Sequence, residues 1–371
     1  MKMKKITVLG AGMVGRAIAR DLAKDHKVTS VDLDEGNLYL LSQYDIETVS
    51  ADLSDPEVIK KVIHDADVVV GAVPGFMGYK TVESVIKAGK NIVDISFFPE
   101  DSKPLDAVAK ENGVTALLDF GVAPGLSNLW FGNQYAKGNV KFLECMVGGL
   151  PAERKYPFQY KAPFSPVDVL EEYTRPARVK EGGRIVVREA LSGSEMVDFD
   201  GIGTLEAFYT DGLRSVLDTI PVEDMREMTL RYPGHIDLIK AIRHVGFLSE
   251  TGIEINGVEI KPRDFAAKIL FKDWKLGPKD EEFTVMRLRS LRTLHGEDVE
   301  FTQTLLDRYD PVSGVSSMSR TTGYTCTAGV SLLLSGVFSD KGCFPPEIVG
   351  MNDECFGHVL VHLGARNITL D

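Results

Sequence analysis

Near the start of the chain, Gly10-Ala11-Gly12-Met13-Val14-Gly15 follows the apolar run Lys5-Ile6-Thr7-Val8-Leu9 and opens the Ala-, Leu- and Ile-rich stretch Met13 to Lys24. A buried strand that turns through G-x-G-x-x-G into a helix has few folds open to it. The first glycine permits the tight turn, the second lets a pyrophosphate approach the backbone, and the third lets helix and strand pack closely. The helix start adds amide donors and the positive end of its dipole. Val28-Thr29-Ser30-Val31-Asp32 reads as the next strand. Its Asp32 falls about twenty residues past the first glycine, where a carboxylate accepts hydrogen bonds from an adenosine ribose. Gly10, Gly12, Met13, Val14, Gly15 and Asp32 are thus the expected dinucleotide contacts, and a purely structural glycine turn is the competing reading. Asp32 would repel a 2′-phosphate, and Leu-Asp-Glu-Gly-Asn-Leu (33–38) holds no Arg or Lys to neutralise one. The expected cofactor is NAD rather than NADP. Asp52 either meets the adenine edge or caps the next helix.

The alternation continues. Strands are expected over Glu47 to Asp52, Ala66 to Ala72, Asn91 to Asp94 and Thr115 to Asp119. Helices are expected over Pro56 to His64, with Ser54 as N-cap, and over Tyr79 to Ala88. Apolar strands with helices between them predict a parallel sheet covered on both faces. After about residue 125 the texture changes. Lys141 to Val147, Arg184 to Arg188 and Phe283 to Arg289 read as longer strands, and Asn256-Gly257 centres a hairpin. Thr321 to Ser335 and Asp353 to Leu363 read as helices too short to form a third core. At about 150 residues per domain, 371 residues allow two or three domains. The expected fold is α/β: a Rossmann doubly wound parallel sheet (1–125 plus the returning helices of 320–371), with a second α+β domain containing a mainly antiparallel sheet (126–319) for substrate binding and oligomerisation.

Composition narrows the partners. Acidic residues outnumber basic ones 54 to 42, for a formal charge of -12, which argues against a nucleic-acid binder. A dinucleotide held by backbone amides needs no basic patch. Cys145, Cys326, Cys343 and Cys355 lack C-x-x-C spacing, so neither zinc nor a disulfide framework is indicated. The basic start, Met1 to Lys5, resembles a targeting segment, but Gly10, Gly12, Gly15 and Arg16 break the apolar stretch behind it. A cytoplasmic protein without a membrane span is expected.

In a doubly wound sheet, ligands lie beyond the carboxyl ends of the strands. Ala72-Val73-Pro74 follows one such strand and joins the cofactor set. Asp94, Ser96 and Asp119 stand at later strand ends. Asp119 leads into Phe120-Gly121-Val122-Ala123-Pro124-Gly125-Leu126-Ser127-Asn128, a Pro-Gly turn with a helix starting near Ser127 or Asn128. Each polar residue alone could be a turn or cap; several on one sheet edge favour a shared site.

Gly10 to Gly15, Asp94 and Asp119 to Asn128 together resemble the saccharopine dehydrogenase-related family. The likeness continues through Val147 to Pro151, Phe164-Ser165-Pro166, Glu172-Tyr173-Thr174, Leu205 to Phe208, Thr210 to Arg214, Thr229 to His235 and Met318-Ser319-Arg320. Within the family the chain looks most like the L-lysine 6-dehydrogenases. The resemblance implies a Rossmann domain joined to a substrate domain, acting on an amino acid with a nicotinamide cofactor. For the lysine enzymes, hydride leaves the ε-carbon for NAD, the imine is hydrolysed, and the 6-semialdehyde cyclises. Other members act on a secondary amine, as in saccharopine or a carboxylated polyamine. A NAD-binding sensor without turnover is the reading outside the enzyme class.

Amine chemistry sets its own demands. An ammonium must lose a proton before its carbon can release hydride, so a base is required. Asp119 and His235 are the first choices, with Asp94 close behind. An α-carboxylate calls for an arginine fork, for which Arg214 leads and Arg231 and Arg175 are alternatives. Tyr173 and Ser96 are expected to line the pocket, placed between the two domains. Each has a plainer reading: a core histidine, structural ion pairs, aromatic packing. The exposed antiparallel sheet suggests a homodimer or larger homo-oligomer.

Overall fold

Ile6, Thr7, Val8 and Leu9 are all buried, so both faces of β1 (Lys5–Leu9) are covered, as in a parallel strand beneath helices. The computed structural model, which describes residues 3–163, 166–277 and 280–371, continues from β1 through α1 (Met13–Leu22), β2 (Lys27–Asp32), α2 (Glu35–Tyr39), β3 (Ile46–Ser50), α3 (Pro56–Val62), β4 (Val68–Gly71), α4 (Gly75–Lys87), β5 (Asn91–Asp94), α5 (Lys103–Glu111), β6 (Thr115–Leu117) and α6 (Leu126–Ala136). The second stretch holds β7 (Val140–Pro151), α7 (Pro166–Thr174), β8 (Ala177–Glu181), β9 (Arg184–Arg188), β10 (Glu195–Phe199), β11 (Gly203–Tyr209), α8 (Val216–Thr219) and β12 (Asp224–Arg231). It goes on with α9 (His235–His244), β13 (Ile253–Ile255), β14 (Val258–Ile260), α10 (Pro262–Trp274), β15 (Glu282–Leu294) and β16 (Glu297–Arg308). The chain ends with α11 (Ser317–Ser335), β17 (Gly342–Phe344), α12 (Pro346–Gly350) and α13 (Asp353–Gly364). Phe164 and Ser165, part of one family-like segment, lie outside the described residues.

Two units result: Met1–Gly138 with Ser319–Leu370, and Asn139–Met318 with Asp371. The first is a seven-stranded sheet in the order β17-β6-β5-β4-β1-β2-β3, with every pair parallel. The strand order reverses at β1, between β2 and β4, which makes that point the topological switch where α/β sheets hold ligands. Three residues of β17 extend the edge, too short a run to announce itself in sequence. Asp55, not Ser54, caps α3 by accepting from the Glu57 N–H at 2.9 Å.

The first unit extends to Gly138, past the boundary at 125 read from sequence. Helix α6 is buried through nearly its whole length. A side chain at Gly132 would collide with the Glu347 carbonyl, and one at Gly350 with the Leu129 carbonyl, so α12 and α6 touch backbone to backbone. The returning helices are also held by charge. Buried Asp21 of α1 accepts from Arg366 Nε at 2.7 Å, Thr327 Oγ1 at 2.8 Å and Lys24 Nζ at 3.0 Å. Burial alone would raise the Asp21 pKa; Arg366, with Lys24 and Thr327, outweighs it and holds the group below its ordinary range.

The second unit is built on a mixed sheet, β10-β11-β12-β7-β15-β16, with β8 paired to β12 and to β9. Its pairs are antiparallel except β12 with β7. Tyr160, Leu170, Tyr173, Phe208, Ile236, Ile239, Ala266 and Trp274 form one of its cores, drawing on α7, α9, α10 and β11. The hairpin β13–β14 turns at Asn256 and Gly257, whose φ values of 54° and 78° suit the Asn-Gly pair. Among the described residues no helix is long and apolar enough to cross a membrane.

Removing the Asp21 charge should unlatch α13. Asp21→Asn is expected to cost about 3 kcal/mol in urea unfolding at neutral pH, the scale for breaking a buried ion cluster. Because the folded pKa is depressed, the Asp21 contribution is present above its ordinary 3.8 and is lost as pH falls through the folded value. The variant should therefore lose less stability on acidification than the wild type. Equal losses would remove this cluster from the account.

Candidate active site

The glycine turn lies at the switch point and is shaped by exclusion. Gly10 has φ 108°, and a Cβ there would overlap the Ala72 carbonyl oxygen; a Cβ on Gly15 would overlap the Gly10 carbonyl. Gly12 is different: a Cβ would meet nothing within 4 Å. Gly12 is also the N-cap of α1 and supplies no side-chain cap. An open cradle beside an uncapped helix start fits the pyrophosphate of a dinucleotide, with Met13, Val14 and Gly15 offering first-turn amides. Asp32 receives the Ala11 N–H at 2.6 Å and the Asp34 N–H at 2.8 Å, which fixes its carboxylate beside the turn. Ala72, Val73 and Pro74 follow β4 on the same sheet edge, with Pro74 at the start of α4. Asp52 is exposed and accepts the Ser54 N–H at 2.9 Å, so it acts as a turn residue.

Of the strand-end candidates, Asp94 is fully buried. Its Oδ1 accepts from Ser96 Oγ at 2.5 Å and from Ser96 N–H at 2.9 Å, and a side chain at Gly71 would displace its Oδ2. Ser96 is itself buried against Gly78 of α4. This pair braces the ends of β4 and β5. Asp119 is 8% exposed and holds φ 54°, a left-handed conformation that Asp tolerates better than most residues. The Phe120 N–H donates to the Asp94 carbonyl at 2.9 Å, so the two acidic strand ends adjoin. Gly125, at φ 136°, closes the turn against Gly121, where no side chain fits.

The second unit gathers Arg231, Tyr173 and His235 into one buried chain. Arg231 Nε donates to Tyr173 Oη at 3.1 Å, and Tyr173 Oη lies 2.9 Å from His235 Nε2. His235 Nδ1 lies 2.8 Å from the Phe158 carbonyl. The directions are forced, because arginine only donates and a carbonyl only accepts. Nδ1 carries the imidazole proton, Nε2 accepts, and the Tyr173 hydroxyl donates. Burial, then the Arg231 charge, lowers the His235 pKa to about 3, and burial raises that of Tyr173 to about 12. The lone pair of His235 is thus occupied, and this placement does not suit the general-base role expected for it. Arg231 is 2% exposed and ion-paired to Glu172, which likewise does not suit a substrate carboxylate fork. Arg175 pairs with Glu171 at 3.3 Å along α7.

Arg214 is partly buried, at φ 53°. The segment before it is pinned twice. Asp211 takes three hydrogen bonds from Arg178, from its backbone N–H at 3.1 Å and its guanidinium at 2.9 and 3.0 Å, and buried Glu227 accepts from Thr210 Oγ1 at 2.6 Å and Gly212 N–H at 3.0 Å. Sequence reading missed Glu227; its one signal was an acidic residue inside an otherwise strand-like run. Burial pushes its pKa from 4.5 to about 7.

A Rossmann unit with an open glycine cradle, joined in one chain to a mixed-sheet unit, is the architecture of a nicotinamide-dinucleotide enzyme. Two family models cover nearly the entire chain: the saccharopine dehydrogenase NADP binding domain over residues 6–117 and the saccharopine dehydrogenase C-terminal domain over residues 121–368. The chain belongs to the saccharopine dehydrogenase family, as an NAD(P)-dependent dehydrogenase of CH–NH2 or CH–NH amino-acid substrates. It is 25% identical to the saccharopine dehydrogenase [NADP(+), L-glutamate-forming] of Saccharomyces cerevisiae, over 94% of this chain and 95% of that protein. It is 22% identical to the mitochondrial alpha-aminoadipic semialdehyde synthase of Rattus norvegicus, over 99% of this chain but 47% of that longer protein. A solved structure of the apo yeast saccharopine dehydrogenase (L-Glu forming) shares the fold, with a TM-score of 0.83 over 99% of both chains at 21% identity.

Two outcomes test the site. Gly12→Ala should fold with the wild-type melting temperature yet weaken NAD(P) binding at least tenfold by titration calorimetry, because its methyl enters the cradle. Gly15→Ala should instead lose roughly 3 kcal/mol of stability through backbone overlap. The reverse pattern would refute the cradle. Glu227→Gln keeps the acceptor for Thr210 and Gly212 but cannot ionise. A raised folded pKa contributes stability below about 4.5 that disappears as pH rises to about 7, on the order of 2–3 kcal/mol. Glu282, pushed by burial to about 7, acts in the same window. Denaturant titrations from pH 4.5 to 7 should show the variant losing about half as much stability as the wild type; an unchanged slope would clear Glu227 of this role.

Proposed function

We propose that the chain oxidises the secondary amine of a saccharopine-type substrate, an amino acid joined through nitrogen to a second amino acid's side chain. The observation that carries this reading is the family match over both units, with the yeast enzyme aligned along almost its full length. In this reaction the CH–NH group gives up a hydride and a proton to become an imine. Water then splits the imine into a semialdehyde and a free amino acid. NAD(P), when bound, supplies the two-electron acceptor. The chain's part is to hold the substrate carboxylate, accept the amine proton and steady the attacking water. We assign the proton to Asp119, which stands at 8% exposure on the strand-end turn beside Asp94. Arg214 is assigned to the α-carboxylate, because Asp211 and Glu227 fix the segment that presents it.

Lysine ε-deamination is the second reading, favoured by one observation. A saccharopine-type substrate carries more than one α-carboxylate, yet Arg231, Arg175 and Arg178 each face a carboxylate of the chain itself: Glu172, Glu171 and Asp211. That arrangement suits a substrate with a single α-carboxylate.

A panel of saccharopine, lysine, ornithine and diamines with NAD or NADP separates these readings through the absorbance of the reduced cofactor. Turnover of saccharopine at the highest kcat/KM is expected. Preference for lysine would move the assignment to the second reading, and no turnover despite cofactor binding would leave a sensor. With the preferred substrate, Asp119→Asn should lower kcat by about 10²–10⁴, the usual contribution of a general base, with little change in cofactor Kd. Full activity in that variant would dismiss Asp119 as the base.

A further inference from the structure

Arg16 follows the third glycine of the turn, and its surroundings are unusual for a guanidinium. It is partly buried, and its Nη1 donates to the Ala11 carbonyl at 2.7 Å and to Asn37 Oδ1 at 2.8 Å. Both acceptors are neutral. Asp32 and Asp34 are the charges that favour its protonated form, yet burial outweighs them. Among the described residues, no carboxylate lies within ion-pair distance of Arg16. Three other partly buried arginines, Arg175, Arg178 and Arg366, each pair with an acid.

Position gives this charge a use. Ala11 is held through its N–H by Asp32 and through its carbonyl by Arg16, so acid and base share one residue of the glycine turn. Asn37 lies on α2, directly after β2, in the segment that surrounds the 2′ position of an adenosine ribose held by the residue ending β2. A 2′-phosphate beside Asp32 would face a carboxylate on one side and Arg16 on the other. An arginine near the ribose is the usual means of accommodating that phosphate. Residues 33–38 hold no cation, whereas Arg16 comes from the helix of the glycine turn.

We propose that Arg16 is the receptor for the 2′-phosphate of NADP and that, set against Asp32, it makes this chain accept both NADP and NAD. The proposal rests on the dinucleotide reading of the glycine turn. On NADP binding, Arg16 exchanges the Asn37 amide oxygen for a phosphate oxygen. With NAD it keeps the Asn37 bond, and Asp32 takes the ribose hydroxyls.

Titration calorimetry on the full chain with NAD, NADP, 2′,5′-ADP and 5′-AMP tests this without turnover. Wild type is expected to bind both dinucleotides, and 2′,5′-ADP more tightly than 5′-AMP. Arg16→Ala should weaken NADP and 2′,5′-ADP by about tenfold or more while leaving NAD within about threefold, the loss expected of a charge-assisted contact. Arg16→Lys, which keeps the charge, should recover part of the NADP affinity; a bracing role through Asn37 would not discriminate between the dinucleotides. Asp32→Asn should tighten NADP and weaken NAD. Equal losses for NAD and NADP in Arg16→Ala would place the arginine on the pyrophosphate or the turn and overturn the proposal. So would a wild type that binds NAD alone. Failure of the wild type to bind either dinucleotide would instead remove the cofactor reading beneath it.

Discussion

The carbonyl oxygen of Ala72 occupies the space where a side chain at residue 10 would stand, and much of the first unit depends on that contact. It lets the ends of β1 and β4 approach, so the strand order can reverse at β1. The Gly10 carbonyl in turn fills the volume of a side chain at Gly15, drawing the first turn of α1 onto the strand end. Three backbones thus meet with nothing between them. The one glycine of the turn with open space, Gly12, leaves room that the protein itself does not fill. Close packing and binding are separate tasks within a six-residue motif, and different glycines serve them.

The parts of the fold legible in sequence are those whose pattern is local. The strands of the parallel sheet are short apolar runs because both faces are buried, and Asn256-Gly257 marks its hairpin through backbone preference alone. What could not be read depends on partners far along the chain. The place of α6 with the first unit is decided by Gly132 and Gly350, whose missing side chains admit the carbonyls of Glu347 and Leu129. Neither glycine sits in a recognisable turn. The same distinction runs through the site. The glycine turn and Asp32 were visible from spacing, whereas the roles of His235 and Arg231 turn on Tyr173 and Glu172, some sixty residues earlier. Residue type named a histidine and an arginine as candidate base and fork; the structure buries both and engages each with side chains of the chain itself.

The Arg231–Tyr173–His235 chain shows how that work is specified. With a donor-only group at one end and an acceptor-only group at the other, each intervening proton has one position. Reversing the Tyr173–His235 link would move the imidazole proton to Nε2 and leave Nδ1 facing the Phe158 carbonyl, two buried acceptors without a proton between them, at a cost of about 1–3 kcal/mol. The chain therefore fixes the orientation of the α7 tyrosine and the α9 histidine relative to β12. It stores no mobile proton, since His235 becomes charged only near pH 3 and Tyr173 loses its proton only near pH 12.

Charge bookkeeping then explains how an acidic chain can serve an anionic cofactor. Arg231, Arg175, Arg178 and Arg366 are matched by Glu172, Glu171, Asp211 and Asp21, so these guanidinium groups add no net positive field around them. Glu227 and Glu282, with pKa values raised to about 7 by burial, add little negative charge below that pH. The net charge of -12 accordingly belongs mainly to the solvated surface, where salt screens it over about 8–10 Å. At the glycine turn the local balance is different, with amides, a helix dipole and Arg16 set against Asp32 and Asp34. Recognition of a dinucleotide by this chain is thus a matter of a few oriented groups within a few ångströms, and overall charge bears on it only weakly.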